Sequence, residues 1–205
     1  MTTKSDNATP DKSIAAKALL RFVYREVLAG DRRKFVAKAA DANTGGGARD
    51  FRFSPYDKFG GIFEKMLTGR KFENRTRDGV TVPQELLTSR VQVARANGKW
   101  VDKPIEFEPP TTARPAEGRL TRLNSYALEV PSGAAGRILL ILFQTGDQKV
   151  WLSFATEAQL NSGKWEKSLT RILQDCLAES RPVNHAAQGF HDFSLGSGFC
   201  KSSGA

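Results

Sequence analysis

The sequence predicts one α+β domain, mainly an antiparallel sheet or open barrel with flanking helices, on three grounds. Two hairpins are legible: Ser89 to Arg95 alternates apolar and polar residues up to the turn Asn97-Gly98, and Arg137 to Gln144 joins Lys149 to Ala155 through Thr145-Gly146-Asp147. Few helical patterns interrupt residues 86 to 155, whereas a doubly wound parallel sheet needs a helix between most consecutive strands. A chain of 205 residues is also long enough to bury a core of its own.

In chain order, residues 1 to 10 are polar and predicted to be disordered, and residues 11 to 180 are predicted to form the domain. From Asp11 to Ala29, the residues Ile14, Ala18, Leu19, Phe22, Val23 and Val27 fall near helical spacing and Gly30 ends the run, which predicts an amphipathic helix. Asp31 to Lys38 reads as a strand with a basic entry, followed by the Gly-rich loop Asp41 to Ala48 and a short strand from Arg49 to Phe53. Pro55 opens a helix with Phe59, Ile62, Phe63, Met66 and Leu67 on one face. Lys71 to Asp78 reads as a polar connection, and Ile105 to Glu108 as a strand closed by Pro109-Pro110, because proline cannot donate to a ladder. The apolar arm from Arg137 to Gln144 is expected to be buried on both faces. Thr156 caps the last helix, with Glu157 in its first turn and Trp165, Leu169, Ile172, Leu173, Cys176 and Leu177 along its apolar stripe. Residues 181 to 205 are Gly/Ser-rich and predicted to be a flexible tail, in which Phe190, Phe193 and Phe199 could dock a partner.

The formal net charge of +9 favours a polyanionic partner. The longest apolar run, Ile138 to Phe143, is too short to span a bilayer, and the polar start lacks the apolar segment of a secretory signal, so a cytoplasmic protein that does not engage membranes is expected. Cys176 and Cys200 are read as reduced bystanders. No metal or cofactor site is expected, because no clustered ligand spacing occurs. Nor is a catalytic constellation: His185 and His191 both fall in the loose C-terminal part. The glycines of Thr44 to Ala48 lead into a strand, not into a helix behind a lysine, which excludes a P-loop. Two alternatives stand beside DNA binding. One is a small metal-dependent nuclease built on Asp147 and Lys149 with Glu129 upstream, against which Asp147 has an ordinary role in a turn. The other is a basic module that meets RNA or an acidic protein.

The cations cluster around two segments. Arg32, Arg33, Lys34 and Lys38 precede the Gly-rich loop, Arg49 and Arg52 follow it, and Arg114, Arg119 and Arg122 form a later group in RPAEGRLTR. Arginine forks match guanine edges and a carboxylate such as Glu117 can accept from the cytosine amino group, so a mixed set suits base reading as well as phosphate contact. The ordinary counterpart is a solvated strand edge on which Glu117 pairs with a neighbouring arginine.

These two segments resemble the N-terminal effector DNA-recognition domain of EcoRII-type restriction endonucleases, a pseudo-barrel related to plant transcription-factor DNA-binding domains. KFVAKAADANTGGGARDFRFSP, from Lys34 to Pro55, is similar to that family's strand, Gly-rich loop and following strand, and RPAEGRLTR is similar to its Arg-Asn-Glu-Lys-Arg-type segment followed by Ile-Thr-Arg. The order of later elements agrees over roughly residues 15 to 178, including a strand that carries Trp151 and a closing helix. The resemblance implies two arms that grip the DNA major groove. Arg33, Lys34, Lys38, Asn43, Thr44, Gly45 and Arg49 would belong to the first arm, and Arg114, Glu117, Arg119 and Arg122 to the second. Ala48-Arg49 replaces the family's His-Gln pair and Gly118 stands where the family has a lysine, so base preference does not transfer. The chain ends before a nuclease domain would fit, which implies a stand-alone recognition module for double-stranded DNA in a restriction or phage-defence system. It would be nucleoid-associated, and its nuclease or other defence partner would be a separate chain.

Overall fold

The structure, a computed structural model, describes residues 18–36, 50–77, 79–95, 98–112, 114–123, 130–131, 136–178 and 186–201. The expected disordered start, the Gly-rich loop, Lys38, Asn43, Thr44, Gly45, Arg49, Glu129 and His185 lie outside these residues.

Among the described residues, ten strands and four helices follow in chain order: β1 (Leu19–Glu26), α1 (Ala29–Val36), β2 (Phe51–Phe53), α2 (Tyr56–Met66), β3 (Gly69–Arg77), β4 (Val80–Ala94), β5 (Trp100–Glu108), β6 (Gly118–Thr121), β7 (Ile138–Thr145), β8 (Val150–Thr156), α3 (Glu157–Leu160), α4 (Lys167–Ala178), β9 (Gln188–Asp192) and β10 (Ser197–Lys201). The strands form one curled half-barrel sheet in the order β10-β9-β1-β7-β8-β4-β5-β6-β2, with β3 attached to β4. The ladders are antiparallel except where Val91–Val93 of β4 run parallel to Val150–Leu152 of β8. The α+β, mainly antiparallel reading of the sequence therefore holds.

The core explains why β7 is an unbroken apolar run. Ile138, Leu140 and Leu142 point into the curl of the sheet, where they join Phe59, Ile62 and Phe63 of α2. Leu139, Ile141 and Phe143 point the other way and meet Trp165 and the α4 stripe of Leu169, Leu173 and Leu177. Both predicted apolar stripes are thus buried. Inside the curl, Phe63 stacks on Phe107 with ring centroids 3.8 Å apart, and Phe53 meets Phe63 edge-on at 5.0 Å.

Several local expectations give way to tertiary context. The predicted N-terminal helix is strand β1 over residues 19 to 26, because Phe22 and Tyr24 pack outward under α4 while Val23 packs inward. The predicted strand from Asp31 is instead α1: Asp31 Oδ2 accepts from Leu28 N at 3.2 Å and from Arg25 Nη1 at 2.8 Å, which anchors a helical first turn. The polar connection at Lys71 is strand β3, paired along its length with β4. Thr156 does form a capping box with Gln159, but on the short helix α3; α4 starts separately, and Glu166 Oε2 accepts from Leu169 N at 2.8 Å.

The C-terminal tail departs most. Residues 188 to 201 form the β9–β10 hairpin, which lies beside β1 and extends the sheet. Gly189 and Gly198 are packing residues here: a Cβ at Gly189 would run into the Phe199 carbonyl and the Tyr24 ring, and one at Gly198 would come 2.9 Å from the Phe190 carbonyl oxygen. Phe190 and Phe199 both reach Phe59, at 5.9 and 5.7 Å. Cys176 and Cys200 are likewise not bystanders. They form a disulfide between α4 and β10, with Cα atoms 5.9 Å apart.

Candidate nucleic-acid interface

The second arm of the sequence reading is described almost completely. Before β6, Arg114 N donates to Thr111 O at 2.8 Å and Glu117 N to Arg114 O at 3.5 Å, so residues 114 to 117 turn the chain. The chain then enters β6, an interior strand between β2 and β5. Tyr56 N, at the start of α2, donates to Ala116 O at 2.9 Å and ties the turn to the helix. The base of α2 is itself held from behind. Gln188 of β9 receives from Ser54 N at 3.2 Å and donates to Ser54 O at 3.1 Å, so one side-chain amide satisfies both backbone groups.

Strand parity sorts the arm's side chains. Leu120 faces the core with Phe51 and Phe107, whereas Arg119 lies directly opposite Arg52 on the outer face. Two arginines in register repel unless anions separate them, and three carboxylates do so. Arg119 Nη2 is 2.7 Å from Glu108 Oε2, an ion pair lying off the line of the N–H, and its Nη1 is 3.7 Å from Asp50 Oδ2. Arg52 reaches Glu117 at 3.6 Å and Asp50 at 4.0 Å. Farther along the same face, Arg122 Nε donates to Glu106 Oε2 at 3.0 Å and Lys71 Nζ to Glu106 Oε1 at 3.2 Å, while Glu73 pairs with Lys71 and lies 3.9 Å from Arg122. The outer face thus carries five carboxylates against four cations, and it is not a bare cationic patch.

The residues within this network differ in what they can offer a ligand. Arg114 and Arg122 are exposed and Arg52 is half-exposed, so their guanidinium forks are accessible. Arg119 is not: its side chain is 12 % exposed and is enclosed by Glu108 and by Asp50, itself 2 % exposed. Glu117 is engaged by Arg52, as the ordinary reading of the segment anticipated. Arg122 adopts a left-handed backbone, φ 67°, which turns the chain sharply where β6 ends. Lys71 is raised above its ordinary pKa, chiefly by its hydrogen bonds to Glu73 and Glu106, and keeps its charge.

A Cβ at Gly118 would run into the edge of the Phe107 ring, whose face stacks on Phe63, so a larger residue here would have to displace that aromatic pair.

Of the first arm, α1 carries Arg33 and Lys34 at backbone level, on a helix and not on the expected strand. Sequence reasoning missed the carboxylates Asp50, Glu106 and Glu108, and Lys71. The only signal for them was the acidic alternation Ile105-Glu-Phe-Glu108, two acids on one strand face.

The carboxylate of the nuclease alternative, Asp147, is engaged within its own turn. Asp147 Oδ1 accepts from Thr145 Oγ1 at 2.6 Å inside the β7–β8 turn, where Gln148 has φ 63°, the role a turn gives such a residue. His191 packs against Phe193 at 4.6 Å, and burial pushes its imidazole below its ordinary pKa against the pull of Asp192. Among the described residues, no group of three or more His, Cys, Asp or Glu side chains is placed to hold a metal ion, and no helix is long and apolar enough to cross a membrane. The chain matches no protein-family model, and comparison with curated proteins finds no match.

Proposed function

We propose that this protein is a sequence-specific double-stranded DNA-binding module that places two arms in the major groove, the recognition part of a restriction or phage-defence system. The observation that supports it is the division of labour in the second arm: carboxylates of Glu117, Asp50 and Glu106 hold the accessible forks of Arg52 and Arg122 in fixed positions, and Arg114 is exposed on the turn that leads into β6. Forks fixed before binding lose little side-chain entropy on meeting a base edge or phosphate. In this reading Arg114, Arg122 and Arg52 contact DNA; Glu106 and Glu73 position Arg122, and Glu117 positions Arg52 together with Asp50, which Arg119 also pairs. The net charge of +9 provides long-range attraction, and the module resides on the nucleoid.

The test is selection of bound duplexes from a random library, then titration of the winner and a scrambled control across a salt series. A winner at least about 10³-fold tighter than the control establishes base readout. Equal affinity for both, falling steeply with salt, would reduce the role to backbone electrostatics, and no binding would overturn the proposal.

A further inference from the structure

We propose that the β3–β4 ribbon is an additional DNA-contacting element, one that enters a groove beside the second arm; the inference rests on the DNA-binding reading above. From Leu87 onward β4 is flanked by β5 on one side and, over residues 91 to 93, by β8 on the other, but from Val80 to Leu86 its ladder is with β3 alone. At about 3.3 Å per residue this unflanked part extends roughly 20 Å. The major groove of DNA admits a two-stranded β-ribbon of this kind.

The ribbon's base is joined to the arm through Lys71–Glu106 and Glu73–Arg122, so both would face the same ligand. Among the described residues, the ribbon's carboxylates are engaged near this base, Glu73 by Lys71 and Glu85 by Arg70 at 3.2 Å. Toward the tip the register places Arg75 opposite Val82 and Arg77 opposite Val80. Two basic positions two residues apart on one strand suit successive phosphates or base edges.

The apolar residues favour a groove over a protein partner. Phe72 is 72 % exposed and Val82 49 % exposed, yet Phe72 pairs with Glu85 and Val82 with Arg75, which puts them on opposite faces of the ribbon. Two single side chains on opposite faces do not make a docking patch, whereas an isolated phenylalanine can pack against a thymine methyl or wedge a base step.

The experiment compares the full-length protein with the R75A/R77A double variant on the selected duplex across a salt series, with circular dichroism to confirm folding. Each phosphate contact contributes about −0.9 to the slope of log K against log salt, so the double variant should bind more weakly with a slope shallower by about 2. Equal affinity and slope in a wild type that does bind DNA would overturn the ribbon's role and leave the arm's intact. No duplex binding by the wild type would overturn the DNA reading and the ribbon's role together. A dimer in sedimentation that Phe72→Ser dissociates would reassign the ribbon to self-association and overturn the inference.

Discussion

The guanidinium of Arg119 and the carboxylate of Glu108 meet at 2.7 Å on the outer face of the sheet, with the almost fully buried Asp50 carboxylate 3.7 Å away on the other side of the fork. Neither oxygen of Asp50 accepts a hydrogen bond from a described residue, so among the described residues its charge is compensated by Arg119 and Arg52. A residue that resembles a base reader in the sequence is here the counter-charge of a buried acid pair.

Arg119→Ala should therefore destabilise the fold by about 3–5 kcal/mol in urea unfolding, because two shielded carboxylates lose their partner. Replacing Arg119, Asp50 and Glu108 together by apolar residues of similar size should recover most of that loss. Native stability in Arg119→Ala would contradict the structural role.

Arg114→Ala should leave unfolding unchanged and weaken binding of a selected duplex, with about 1–3 kcal/mol of discrimination lost if its fork reads a base edge. Loss of affinity on every duplex alike would make it a phosphate contact instead.

Gly118→Ala should cost about 1–3 kcal/mol, since the new methyl meets the edge of a Phe107 ring that is packed in a stack with Phe63. Thermal melting measures it, and an unchanged midpoint would mean that the aromatic stack yields.

Acidification should weaken the fold in two windows. Burial of His191 depresses its pKa, so the folded state resists the proton that the unfolded chain accepts, and stability declines as pH falls below about 6.5. For Asp192, burial alone would raise the pKa, but Ser194, Lys65 and Arg21 outweigh it and hold the carboxyl low. The stability this provides is present above about pH 4 and is lost as pH falls through the depressed value. Asp192→Asn should flatten the lower window and His191→Phe the upper one in unfolding curves recorded from pH 8 to 3.

Cys200→Ser should lower stability by about 3 kcal/mol under oxidising conditions, given the 24-residue separation that the disulfide closes, and reductant should bring the wild type to the same value. Equal stability of wild type and variant without reductant would show the cysteines unlinked.

How far the sequence foretold this arrangement depended on whether a residue's role was local. The α2 stripe, the β7–β8 hairpin and the cap at Thr156 are set by neighbours within a few positions, and all were readable. Strand β1 was not, because it is buried on both faces and so has no polar alternation to distinguish it from a helix. Gly189 and Gly198 signalled looseness when their cause is close packing against Tyr24, Phe190 and Phe199. In RPAEGRLTR the arginines were visible but their burial was not, since Asp50 and Glu108 come from β2's approach and from β5 and approach Arg119 only in the folded sheet.

The position of β1 has a consequence for biosynthesis. Residues 21 to 25 pair with residues 140 to 144 on one side and with residues 188 to 192 on the other. The first described strand to leave the ribosome cannot complete its ladders until the last hairpin has been made. Such distant pairing slows folding and leaves strand edges open meanwhile. A growing chain of this protein therefore carries an unfinished sheet until that hairpin is made, and its solubility during translation depends on whatever shields Phe22, Val23 and Tyr24 until Gln188 to Asp192 arrive.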